Sequence, residues 1–243
     1  MKHIYSYMKT GFILMIALFI LTGCMFPKEE LAKNQVPHED QIEQVQNAIE
    51  KYQEQTGGLL PIKTKPNETP IYEKYIIQFK QLEDENVLSN IPGNSFENGG
   101  IYQYVLIDVE ENPTVKLIDL RTTSEVQKLH SKVNTYRNKH IYPPYGENVG
   151  GDLHTLDYEK LGLTSEPTVV SPFTQNNLPF VIDMNGDIYI DYRYDLTSVI
   201  EETDSSITEG EDIRHILTDD SPFVPAHSLP YTIEDGEPVF LIE

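Results

Sequence analysis

Leu178-Pro179-Phe180-Val181-Ile182-Asp183 runs into Met184-Asn185-Gly186-Asp187 and resumes as Ile188-Tyr189-Ile190-Asp191. Two short runs of β-branched and aromatic residues around an Asn-Gly pair predict a tight antiparallel hairpin, because both turn residues accept positive φ. The pattern returns as Leu229-Pro230-Tyr231-Thr232-Ile233-Glu234, Asp235-Gly236 and Val239-Phe240-Leu241. Each copy is preceded by Ser-Pro-Phe, at 171–173 and at 221–223. Ahead of each lies sequence expected to be helical, 156–161 stopped by Gly162, and 211–217 with Thr208 and Glu211 as its cap. The expectation is a helix–loop–hairpin unit used at least twice, with Leu60-Pro61 as a worn third trace.

Upstream, Ile42, Val45, Ala48, Ile49 and Tyr52 recur at helical spacing, so 40–56 predicts an amphipathic helix stopped by Gly57-Gly58. Residues 63–70 are turn-rich, 71–79 read as a β-prone run, and 90–100 as a loop. A further hairpin is expected from 101–109 and 114–120. Thr122 and Glu125 fit a capping box for a second helix carrying Val126, Leu129, Val133 and Tyr136, ended by Pro143-Pro144. No glycine-rich strand-to-helix turn of the Rossmann kind occurs. The fold class read from this pattern is α+β: antiparallel hairpins packed with amphipathic helices. The globular region spans 40–243, and a boundary near 121 would divide it into two sub-units.

The start of the chain reads as processing information. Lys2 and Lys9 precede an apolar run from Gly11 to Leu21, then Leu21-Thr22-Gly23-Cys24. About 11 apolar residues are too few to span a bilayer, which takes about 20, and match a secretory signal. Residues 1–23 are thus expected to be a signal peptide, with 24–39 a tether reaching roughly 20 Å. Leu-Thr-Gly-Cys resembles the lipobox of bacterial lipoproteins, which implies diacylglycerol on Cys24 and cleavage before it. A diacylated Cys24 would hold the chain stably on the extracytoplasmic face of the cell membrane.

Eighteen Lys and Arg stand against 39 Asp and Glu, a formal charge of −21, and the signal carries two of those cations and no acid. Such a balance argues against nucleic-acid partners and makes cations and basic partners the favoured ligands. One cysteine excludes an internal disulfide framework. Asp183, Asn185, Asp187 and Asp191 offer oxygen ligands, but Gly186 stands fourth in place of sixth and Tyr194 holds the twelfth position of an EF-hand loop. A plain hairpin turn explains them better, and no metal or cofactor is expected. The histidines form no His-x-x-x-His pair, and His227-Ser228 has no nucleophile elbow around it. Tyr189, Tyr192, Arg193 and Tyr194 make an aromatic and basic cluster, the candidate binding surface for a sugar or peptide. Ordinary strand packing competes with that reading. The proline loops 171–180 and 221–229 are further candidates for partner contact.

The lipobox, the helix ending in Tyr52 to Pro61, Tyr142-Pro143-Pro144-Tyr145-Gly146, Ile188-Tyr189-Ile190-Asp191-Tyr192-Arg193, and Asp212-Ile213-Arg214 through Ser221-Pro222-Phe223-Val224-Pro225 together resemble the YphF-like lipoproteins of spore-forming bacteria. The resemblance implies a single-membrane cell and an anchor in the outer leaflet of its membrane. It supplies no catalytic residue, and its customary label is a transporter-associated binding lipoprotein. The expected function is a non-enzymatic, lipid-anchored binding or interaction module at the cell surface, meeting an envelope protein, a peptide or a small molecule. The alternative is the solute-binding component of an ABC-type importer. Against that alternative stand the chain's short length and its lack of two βα lobes.

Overall fold

The computed structural model describes residues 38–202 and 207–242. Cys24, the signal and most of the tether lie outside the described residues. Everything from Pro37 onward belongs to one compact unit.

Helix α1 (His38–Thr56) buries Val45, Ala48, Ile49 and Tyr52, the stripe its periodicity predicts. The β-prone run that follows is corrected. It opens as a single helical turn, α2 (Ile71–Lys74), and only Ile76 and Ile77 make strand-like bridges, to Val105 and Ile62. Burial of Tyr72 on the neighbouring strands overrides local β-propensity here. Helix α3 (Phe79–Asp84) adds Phe79 and Leu82 to the core. Strands β1 (Tyr102–Ile107) and β2 (Thr114–Asp119) form the expected hairpin, pairing Tyr102 with Asp119 and Ile107 with Thr114.

The second helix, α4 (Leu120–His140), starts earlier than the capping box implies. Asp119 caps it: its carboxylate accepts from the Arg121 N–H at 2.9 Å, and Arg121 Nε returns to the same group at 2.9 Å. Thr122 instead donates its hydroxyl to the Asp119 carbonyl. The device occurs three times. Asp191 and Arg193 repeat it ahead of α5 (Arg193–Glu202), and Asp212 and Arg214 at the short turn leading into α6 (Ile216–Asp219). Asp212, not Thr208 with Glu211, is therefore the cap there.

Five strands form the second sheet: β3 (Tyr145–Gly150), β4 (Leu153–Leu156), β5 (Thr168–Val170), β6 (Asn177–Ile182) and β7 (Ile188–Ile190). Central β6 pairs β5 through 177–179, β4 through 181–182 and β7 through 180–182, all antiparallel. Because Leu156 is paired to Tyr145 in β4, the expected helix at 156–161 does not form; a turn at 158–163 replaces it. The last hairpin is β8 (Tyr231–Glu234) with β9 (Glu237–Phe240). Its Asp235-Gly236 turn has φ of 51° and 84°, whereas in the β6–β7 turn Gly186 takes positive φ (88°) and Asn185 does not. The two hairpins thus share pairing but not turn geometry, and only the second is preceded by a helix.

Two apolar clusters build the interior. One gathers α1, α3 and the β1–β2 hairpin around Tyr104, Leu106 and Leu117; the other gathers the five-stranded sheet, α4, α5 and the last hairpin around Phe180, Ile190, Tyr192 and Tyr231. A third, of Tyr72, Val105, Ile107, Ile118, Val224 and Ala226, joins them. The loop carrying Ser221-Pro222-Phe223 lies parallel to β2: Leu117 N–H donates to the Pro222 carbonyl and Val224 N–H to the Leu117 carbonyl.

Candidate functional site

The aromatic cluster read from the sequence does not meet as a surface. Tyr192 is 1% exposed; its hydroxyl donates to the Ala226 carbonyl and its N–H donates to the Tyr231 hydroxyl. It is a core peg between two hairpins. On β7, Ile188 and Ile190 face inward, so Tyr189 points the other way, into a small recess with Glu73, His130, Asp187 and His227. Arg193 and Tyr194 border a different recess beside Pro179 and Glu237, where Arg193 pairs with Asp191 and lies 4.7 Å from the Phe240 ring centre. Strand alternation turns Tyr189 outward, and the chain passes from β7 into α5 at Arg193, so the four residues are dispersed.

The oxygen cluster is likewise divided. Asp183 Oδ1 accepts from the Asn185 and Asp187 N–H groups, closing the turn. Asp187 meets His130 at 3.3 Å and Asp191 holds Arg193. Among the described residues no group of three or more His, Cys, Asp or Glu is placed to hold a metal ion. His227 and Ser228 are also parted. Ser228 Oγ donates to the Pro225 carbonyl and accepts from Arg214, while the His227 ring lies 2.9 Å from Thr123 Oγ1.

A cleft of about 360 Å³ opens where three distant segments meet: α2, the β1–β2 turn and the 215–219 turn. Tyr72, Tyr75, Ile107 and Val109 form its apolar floor, and Asp108, Glu110, Glu111 and Asp219 its rim. None of these four carboxylates has an ion-pair partner among the described residues. Asp108 sits at φ 50° and its carbonyl accepts from the Glu111 and Asn112 N–H groups, which turns the acidic loop over the floor. Ile71 stands at the mouth, 54% exposed.

Near the floor lie a buried cation, Arg214, and a half-buried one, Lys116. Arg214 is 5.1 Å from the Tyr72 ring centre and bonds Asp212 and the Ser228 carbonyl. Burial raises the Tyr72 hydroxyl pKa well above the usual tyrosine value; the Arg214 charge opposes this, and Asp212, Asp108 and Asp219 add to it. Lys116 donates to the Thr218 and Ser221 carbonyls, and burial lowers its amine from the ordinary value. Both cations bond backbone carbonyls and neither forms an ion pair with a rim carboxylate, although Lys116 feels the charges of Asp219 and Asp108. Aromatic floor and carboxylate rim suit a cationic group carrying some apolar surface.

Residues 38–119, from the start of α1 to the Asp119 cap, match the model of the YphF family N-terminal domain. Over that stretch the chain is similar to the YphF family. No curated protein and no solved structure matches it. The YphF N-terminal domain supplies α2 and the acidic turn to the cleft, and the remainder supplies the 215–219 wall. Sequence reading treated 110–113 only as a spacer between strands and 71–79 as a strand. The available signal was Asp108-Val109-Glu110-Glu111, a run of acids too dense for a turn that needed none of them.

Proposed function

We propose that the chain is a lipid-anchored, extracytoplasmic binding module without catalysis of its own, held by diacylglycerol on Cys24. It presents the acidic cleft to a cationic partner, a lysine- or arginine-bearing segment of an envelope protein or peptide. The observation that carries this reading is the unpaired carboxylate rim over the Tyr72–Tyr75 floor. In a body of this charge such a rim attracts cations at long range and orders them at contact. The importer-receptor alternative calls for two lobes closing on a solute, and residues 37–243 form one unit.

Isothermal titration of the purified chain with a short Lys/Arg-rich peptide, beside an acidic peptide of equal length, tests it. Only the basic peptide should bind, with affinity falling as salt rises. Glu110→Lys with Asp219→Lys should weaken it by about tenfold or more. Equal binding by the double variant would remove the cleft from the account.

A further inference from the structure

The chain's cations are not spread evenly. Arg121, Lys128, Lys132, Arg137 and Lys139 all fall within the 21 residues of α4, which hold a single acid, Glu125. Lys128, Lys132 and Lys139 follow at i, i+4 and i+11, so they share one face over about 16 Å of helix. A groove of about 490 Å³ runs beside them, lined by Lys132, Tyr136, Lys139, His140 and Lys160. Tyr136 and His140 stack there at 4.2 Å. Some of this charge is used locally: Lys128 pairs with Glu125, Lys160 with Asp157, and Arg137 donates to the Asn185 carbonyl. Lys132 and Lys139 make no ion pair among the described residues. Cations in the last turn complement the helix dipole, but that effect fades within one turn and does not reach Lys128 or Lys132.

A second observation stands at the C-terminal end of α4. Ile141 ends α4 with φ 72° and is 92% exposed, and Tyr142 beside it is 60% exposed. A β-branched residue at positive φ is strained, and here the strain holds an aliphatic side chain in water. Lysines beside an exposed aliphatic and an exposed tyrosine are the composition of an interfacial membrane contact.

We propose that the α4 face docks on a bilayer bearing anionic headgroups. Lys132 and Lys139 meet the phosphates, and Ile141-Tyr142 enters the headgroup–acyl boundary. Lys132 and Lys139, which have no ion-pair partner among the described residues, act on a surface within a Debye length, and acids farther away than that are screened. The contact is additional to any lipid on Cys24 and does not depend on it.

The chain has no tryptophan, so Tyr142→Trp introduces a single reporter. The full chain carrying it is mixed with vesicles of phosphatidylcholine, with or without phosphatidylglycerol, and with brominated acyl chains as quenchers. With phosphatidylglycerol present, the emission should shift to the blue and be quenched. Lys132→Gln with Lys139→Gln should weaken vesicle partitioning of the reporter roughly thirtyfold, and the corresponding Glu pair by more. Ile141→Gly, which relieves strain and so preserves folding, should lessen quenching. Flotation of the vesicles reports the Cys24 anchor separately. A chain that floats while its tryptophan stays water-like overturns the docking and leaves the anchor standing. Equal quenching in pure phosphatidylcholine, or a shift given by soluble polyphosphate alone, overturns it as well.

Discussion

His227 is the residue whose surroundings most constrain what it can do. Its backbone sits at φ 54°, its N–H donates to Glu73 Oε1 at 2.8 Å, and its ring lies between that carboxylate and Thr123. Burial lowers its pKa below the ordinary 6.5, with the Glu73 charge opposing. The folded state therefore binds the proton less well than the unfolded chain does. Its contribution to stability is present above 6.5 and is lost as pH falls through the lower folded value. His227→Asn tolerates the left-handed backbone and does not titrate. The fall in melting temperature between about pH 7.5 and about 5.5 should be smaller in that variant than in the parent. An identical fall in both would assign the acid sensitivity elsewhere. Asp195 is the counterpart of opposite sign. Burial raises its carboxyl above 3.8 although Ser171 and Thr174 both donate to it, so its ionisation with rising pH works against the fold.

At the scale of elements, the three Asp-x-Arg turns are the recurring device. In each, one carboxylate caps the first turn and holds the arginine two residues on, so the pair carries its own counter-charge whether the acid (Asp119, Asp191) or the arginine (Arg214) is the buried member. Asp119→Ala should destabilise the chain by about 1–3 kcal/mol in urea unfolding, since it removes the cap of the longest described helix and strands Arg121. Asp119→Asn keeps an acceptor and should cost less; equal losses would mean that charge, not capping, matters. These turns were visible as 119–121, 191–193 and 212–214, all Asp-x-Arg, yet the neighbouring Thr122–Glu125 and Thr208–Glu211 pairs fit a familiar box and displaced them. The α1 periodicity and the hairpins were legible because burial on one face imposes a fixed repeat. The helix at 156–161 was not, since its fate depends on Tyr145, a partner that local sequence cannot reveal. The acidic cleft was illegible for the same reason: its walls at 71–75, 107–111 and 215–219 come from separate parts of the chain, the last more than a hundred residues beyond the others.

For the whole molecule, net charge and charge distribution point different ways. A formal −21 pictures the body as standing off an anionic membrane, whereas α4 concentrates cations on one side. The α1–β2 core and the sheet core are tied by Lys116 and by the 221–224 loop, so charge patches on each are carried by one body. Membrane residence then has two separable sources. Lysines near an anionic surface contribute about 1 kcal/mol each, which orients a protein but does not retain it at cellular dilution. Two acyl chains retain it outright. Cys24→Ala should therefore release the chain from membranes in cell fractionation, or leave an unprocessed precursor of higher mass on a gel. High salt should strip the α4 contact and leave a diacylated chain on the membrane. Unchanged processing together with unchanged membrane association in Cys24→Ala would place the anchor somewhere other than the thiol.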